Sequence, residues 1–189
     1  MNAKFDFLNS KINIDILRFL ADNQGKFDNK KDIVLTKHII SGTRYSRKGI
    51  HDALKKLIKE DLITYRQIGK SKVYEINNEN IIIKQFKILK SVIELNPLIE
   101  KLKRITKKII LYGSVSRGED NSRSDIDLVI LADEFDHDNI KEEINKFKSK
   151  KKINAQIFTP SKFIEIEKKD RVFYLEVDRG IILWEEQSV

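Results

Sequence analysis

The chain has no cysteine, only two prolines and only seven glycines. Without cysteine there are no disulfides and no zinc sites built on thiolates. Scarce proline and glycine argue against a long disordered stretch or a flexible linker. No run approaches the roughly 18 uncharged apolar residues that a membrane span needs, so no membrane partner is expected. The opening MNAKFDFLNSKINID carries acids too early for a secretory signal, and a cytoplasmic location is the expectation. What is present is 35% charged and 40% hydrophobic residues over 189 positions. That is enough for two globular domains of roughly 80–110 residues.

The formal net charge of +8 is unevenly distributed. Residues 1–85 hold 17 Lys and Arg against 10 Asp and Glu, whereas the remainder holds 20 against 19. Excess positive charge confined to one half points to a polyanion partner for that half, most simply nucleic acid.

Ile12, Ile16, Leu17, Phe19 and Leu20 recur at helical spacing and predict a helix over 10–22, ended by Asp22-Asn23-Gln24-Gly25. A second helix is expected over 31–40, with Ile33, Val34, Ile39 and Ile40 inward, followed by a turn at Ser41-Gly42-Thr43. Ser46 is a good N-cap for a third helix reaching about Glu60. Its apolar stripe is Ile50, Ala53, Leu54, Leu57 and Ile58, with Arg47, Lys48, His51 and Lys55 opposite. Residues 62–66 and 71–76 read as strands joined by a tight turn at Ile68-Gly69-Lys70. This order, and the segment from Tyr45 to Ile63 in particular, resembles the winged helix-turn-helix family. The resemblance implies that Arg44, Arg47, Lys48, His51 and Lys55 face DNA, while Arg66, Lys70 and Lys72 on the wing meet phosphates. Such binding weakens steeply with salt.

Residues 81–106 predict a helical connector, interrupted at Asn96-Pro97, where Asn caps a new helix and Pro takes its first position. Its broad apolar surface suggests packing between domains or subunits, and a homodimer would suit paired DNA half-sites. The expected division is therefore 1–80, 81–106 and 107–189.

In the second half, Lys107-Lys108-Ile109-Ile110-Leu111-Tyr112 reads as a strand running into Gly113-Ser114-Val115-Ser116-Arg117-Gly118. Asp125-Ile126-Asp127-Leu128-Val129-Ile130-Leu131 is a second strand, 138–149 a helix and 153–158 a third strand. Further helix opens at Thr159-Pro160-Ser161, and a last strand spans 181–184. The expected class is α+β, with a small mixed sheet flanked by helices. On a strand, residues i and i+2 share a face, which brings Asp125 and Asp127 together. Two neighbouring carboxylates repel unless a cation lies between them, and hard oxygen ligands suit Mg2+. Gly113 lets backbone approach a phosphate, and the Ser114 hydroxyl can donate to it.

Gly113-Ser114, ten intervening residues and Asp125-Ile126-Asp127 together resemble the signature of the nucleotidyltransferase superfamily related to DNA polymerase beta. The surrounding residues are similar to its minimal nucleotidyltransferase members over 107–185. The resemblance implies that a nucleoside triphosphate binds with Mg2+ and that NMP passes to a hydroxyl. Asp125 and Asp127 would ligate one or two metals, Gly113 and Ser114 would hold phosphates, and Arg117, ahead of Arg123, would be a phosphate partner. It also implies a third carboxylate from a later strand. Here that strand offers Asn154 and Gln156, neutral amides that cannot act as a base near pH 7. Three roles follow: an active transferase, a DNA-binding regulator whose second domain binds nucleotide but transfers poorly, and an antitoxin-like protein paired with a helical toxin protein.

Overall fold

A computed structural model describes residues 7–23 and 36–187. Among them, contacts divide the chain into two compact units. The first runs to Phe86 and takes in Asn121–Arg123; the second holds Lys87–Asp120 and the residues from Ser124. No described helix is long and apolar enough to cross a membrane.

The first unit begins with α1 (Lys11–Asn23), α2 (Thr36–Thr43) and α3 (Arg47–Lys59). An antiparallel hairpin follows, β1 (Ile63–Ile68) with β2 (Ser71–Ile76), paired from Ile63↔Ile76 to Ile68↔Ser71. The apolar stripes meet in one core that includes Ile16, Leu20, Ile39, Leu54, Leu57 and Tyr74. Ser46 caps α3 as its sequence implies, its hydroxyl accepting from the Gly49 N–H at 3.2 Å. After α3 the backbone turns at Asp61, whose carbonyl accepts from the side chains of Asn77 at 3.0 Å and Asn80 at 2.9 Å. That closes the hairpin onto the end of the helix. Ile33 and Val34, expected inside the second helix, lie outside the described residues.

Ser41-Gly42-Thr43 does not turn but completes α2. Gly42 sits against the Phe19 ring, where a Cβ would come within 2.3 Å of Cε2. The glycine thus serves close packing between helices, and the reversal falls one residue later, at Arg44 with φ 60°.

The helix α4 (Ile81–Leu102) continues unbroken through Pro97, where an interruption was expected. Proline lacks the N–H that would bond the carbonyl of Ile93. Pro97 and Ile93 are both exposed, so water can satisfy that carbonyl, while Leu95, Leu98 and Leu102 stay buried opposite.

The second unit is built on a mixed four-stranded sheet in the order β5-β4-β3-β6. Its strands are β3 (Lys108–Tyr112), β4 (Ile126–Leu131), β5 (Ile153–Phe158) and β6 (Ile181–Glu185). The pair β4/β5 is parallel, with α6 (His137–Lys146) between them in the chain; β3 is antiparallel to both β4 and β6. Alternating side chains build a core on each face. Leu111, Leu128 and Ile130 pack with Leu98 and Leu102 of α4 and Ile140 of α6. Ile110, Tyr112 and Val129 pack with Phe163 of α7 (Pro160–Lys169) and with Phe173 and Val177 of α8 (Arg171–Asp178). The expected small mixed sheet flanked by helices is what forms.

Candidate functional site

The site grows from the end of β3. Tyr112 pairs with Asp127 on β4, and Asp127 pairs with Asn154 on β5, so three polar side chains stand in one row across the sheet. After Tyr112 the chain turns sharply into the single helical turn α5 (Gly113–Ser116). Gly113 adopts φ +73°, and a Cβ there would stand 2.7 Å from Asp127 Oδ2. Only glycine allows this backbone conformation and this approach to a carboxylate. The turn is tied down behind Ser114, whose carbonyl accepts from the N–H groups of Arg117 at 3.3 Å and Glu119 at 3.0 Å.

The two aspartates are held differently. Asp127 lies within the ladder, whereas β4 begins at Ile126 and leaves Asp125 as the last residue of the preceding loop. The alternation argument therefore applies to Asp127 and stops one residue short of Asp125. Both are half-buried, and among the described residues neither makes an ion pair. Half-buried carboxylates without a cationic partner, beside a turn that admits only glycine, suit a divalent cation held jointly with a bound phosphate. Among the described residues no three His, Cys, Asp or Glu side chains form a group that could by itself hold a metal ion.

The strand expected to bring a third acid brings amides into the row. Asn154 Nδ2 donates to Asp127 Oδ1 at 3.1 Å, and Gln156 Nε2 donates to the Tyr112 hydroxyl at 3.1 Å. Burial pushes the Tyr112 hydroxyl pKa up, the charges of Asp127 and Glu176 add to this, and the Gln156 bond opposes it. Tyr112 thus stays a neutral phenol at physiological pH.

The family model described as Polymerase beta, Nucleotidyltransferase matches residues 94–188, just over half of the chain. The chain belongs to this family. No curated protein matches it. The matched segment starts inside α4 and takes in the whole four-stranded sheet, including the Gly113 turn and both aspartates.

In this nucleotidyltransferase domain Arg117 stands exposed beside the Gly-Ser turn. Its Nε bonds Glu119 at 2.9 Å and its Nη1 reaches Glu176 of α8 at 3.4 Å. These acids hold its pKa above the usual guanidinium value, the Glu119 hydrogen bond contributing most. Arg117 also lines a cavity of about 460 Å3 with Ser116, Val172, Leu175, Glu176 and Arg179. Arg123 is exposed on the loop two residues before Asp125.

The residues expected to meet DNA occupy the first unit. Arg47, Lys48, His51 and Lys55 are exposed on α3, and Arg44 is exposed in the turn before it. Arg66 and Lys72 are exposed on the hairpin, where Arg66 pairs with Glu75 at 3.1 Å and the Lys72 ammonium lies 4.3 Å from the Tyr65 ring centroid. Lys70 is exposed at the hairpin tip. Tyr112 and Glu176 escaped the sequence reading. Tyr112 looked like the last apolar residue of a strand, and Glu176 lies far along the chain in a helix with no motif.

Proposed function

We propose that the chain is a nucleotidyltransferase that binds a nucleoside triphosphate with Mg2+ and passes NMP to a hydroxyl acceptor. Its N-terminal winged helix, residues 1–80, recruits it to DNA. The observation that carries the first part is the Gly113 turn packed on the Asp127 carboxylate, with a backbone that excludes any side chain at 113. Gly113 and Ser114 hold the terminal phosphates, and Asp125 and Asp127 provide the oxygen ligands for the cation. Bound Mg2+ supplies neutralisation of the triphosphate charge. Arg117 exchanges Glu176 for a phosphate oxygen, a charge-assisted bond of the same kind.

In the transfer, the acceptor oxygen bonds to the α-phosphorus. The bond from that phosphorus to the oxygen bridging it to the β-phosphate breaks, and pyrophosphate leaves with the electron pair. The acceptor proton passes to water, since Asn154 is a neutral amide. A positioned carboxylate base is typically worth roughly 10²–10⁴-fold, so transfer is slow by that measure.

A second reading keeps nucleotide binding and drops the transfer, making the protein a nucleotide-sensing DNA-binding regulator. The Asn154–Asp127 hydrogen bond favours it, because the amide occupies a position suited to a metal-ligating acid. Incubation with each α-labelled NTP and protein or nucleic-acid acceptors separates the two. Label on an acceptor supports transfer; its absence with all four NTPs, alongside stabilisation by Mg2+ and ATP, supports the sensor. Absence of both label and stabilisation overturns both readings. For the first unit, the test is DNA binding that declines with salt; equal, salt-insensitive binding by an Arg47→Ala/Lys48→Ala variant overturns the DNA-binding role.

A further inference from the structure

The entry to β5 carries a cation that the fold does not use. Lys151 pairs with Asp120 there, but the next residue, Lys152, is exposed and its side chain makes no ion pair or hydrogen bond among the described residues. Its backbone is fixed all the same. The Lys152 carbonyl accepts from the Ile126 N–H at 2.8 Å, one step outside the Ile126↔Ile153 pair of the parallel ladder. Continuing that register sets Lys152 across from Asp125.

We infer, on the nucleotidyltransferase reading, that Lys152 is a phosphate-binding residue of the transfer site and that its ammonium takes the α-phosphate of the bound nucleoside triphosphate. Exposure alternates along the strand entry: Lys152 and Asn154 are exposed, while Ile153 between them packs on the core that holds Leu128. Residues two apart on an extended chain share a face. Asn154 donates to Asp127 at 3.1 Å, so the face that carries Lys152 is the face of the site.

The order of the strands then says which phosphate it meets. β3, β4 and β5 lie side by side, about 4.8 Å apart. The Gly-Ser turn leaves the end of β3, the aspartates stand at the start of β4, and Lys152 stands at the start of β5. With the terminal phosphates at the turn and the cation at the aspartates, a triphosphate lying across the strands brings its α-phosphate to the β5 side. Charge leads to the same assignment. The row offers carboxylates at Asp125 and Asp127 and a neutral amide at Asn154, and the carboxylates and a triphosphate together carry more negative charge than one divalent cation cancels. Arg117 compensates at the terminal phosphates, and Lys152 compensates at the other end, where an ammonium binds phosphate as a point charge. The same ammonium repels a cation that arrives alone. Lys152 therefore favours the nucleotide and opposes the bare metal.

The test uses the full chain with Lys152→Met, Lys152→Arg and, as a control, Lys148→Met, another exposed lysine of the same stretch. Binding of the α,β-methylene analogues of all four nucleoside triphosphates is measured by calorimetry with and without Mg2+. Inorganic pyrophosphate is titrated in the same way, and Mn2+ alone is followed by electron paramagnetic resonance. Lys152→Met should weaken triphosphate binding about tenfold, the scale of one hydrogen bond between charged groups, and Lys152→Arg should retain most of the affinity. Pyrophosphate, which fills only the terminal positions, should bind Lys152→Met as it binds the wild type. Mn2+ alone should bind Lys152→Met at least as tightly as the wild type, because a neighbouring positive charge is gone. At about 0.15 M salt, where exposed charges more than roughly 8 Å apart are screened, Lys148→Met should match the wild type throughout.

Wild-type triphosphate affinity in Lys152→Met overturns the inference. So does an equal loss for pyrophosphate, which moves Lys152 away from the α-phosphate, and so does weaker binding of Mn2+ alone, which makes Lys152 a prop for the aspartates. A wild-type chain that binds none of the four triphosphates brings down the nucleotidyltransferase reading itself, and the role of Lys152 with it.

Discussion

The two units use charged side chains in opposite ways. In the first, Arg44, Arg47, Lys48, His51 and Lys55 stand exposed on and beside a helix whose buried face does the packing. In the second, Gly113 abuts Asp127, Asn154 donates to Asp127, Gln156 donates to Tyr112, and Arg117 is held by two glutamates. Exposed, separated charges act through a summed field, and their losses add. Groups in contact act as a unit, and one change is felt by all. A surface that attracts a polyanion can therefore be eroded gradually, whereas a site that must place a cation against a phosphate fails at once.

The largest effect should come from the interlocked set. With Mg2+ and ATP at about 100 times the dissociation constant, the wild type should gain about 2.7 kcal/mol of stability. Asp125→Ala with Asp127→Ala should abolish the associated rise in melting temperature. Gly113→Ala should remove most of it without altering any charge, since the added Cβ would stand 2.7 Å from Asp127 Oδ2. Normal ligand stabilisation in Gly113→Ala would break the contrast between the units.

Next in size is Asn154→Asp, which places a third carboxylate in the row. Transfer of α-label should rise by roughly 10²-fold or more. Without Mg2+ the same variant should melt lower, because the amide bond to Asp127 becomes repulsion between like charges. An unchanged rate would show that the third position does not limit the reaction.

A smaller and additive effect is expected on α3. Arg47→Ala and Lys48→Ala should each lower the slope of log affinity against log salt by about 1. Their double mutant should equal the sum of the singles within about 0.5 kcal/mol. Strong coupling between them would mean that the first unit, too, has a close-packed site. The smallest change is Ser46→Ala, which removes the cap on α3 and should cost about 1 kcal/mol in denaturant unfolding. Stabilisation by Mg2+ and ATP should be untouched.

Much of this architecture was legible in the chain. The apolar stripe of α3, the Ser46 cap, the apolar run at 126–131 and the alternating run at 153–158 state their own secondary structure. The Gly-Ser and Asp-x-Asp spacing points to the family from residue order alone. The misjudged positions share a cause: each depended on what lay across space. Gly42 reads as a turn residue until Phe19 is known to pack on it. Pro97 reads as a helix breaker until its face is known to be exposed. Beyond these, no pattern in the sequence sets Lys87, which is buried, apart from the other lysines of its helix.

Residue order alone determined most of the local elements, the polarity of charge along the chain and the chemistry present at 113–127, because periodicity, capping and motif spacing are short-range properties. Tertiary structure decided which of these meet. It set Asn154 against Asp127, brought Glu176 of a distant helix to Arg117, left Asp125 outside the ladder that holds Asp127, and buried Asp120 between two lysines 64 positions apart. Strand register and helix packing fix such encounters, and they depend on contacts that no local window of sequence contains.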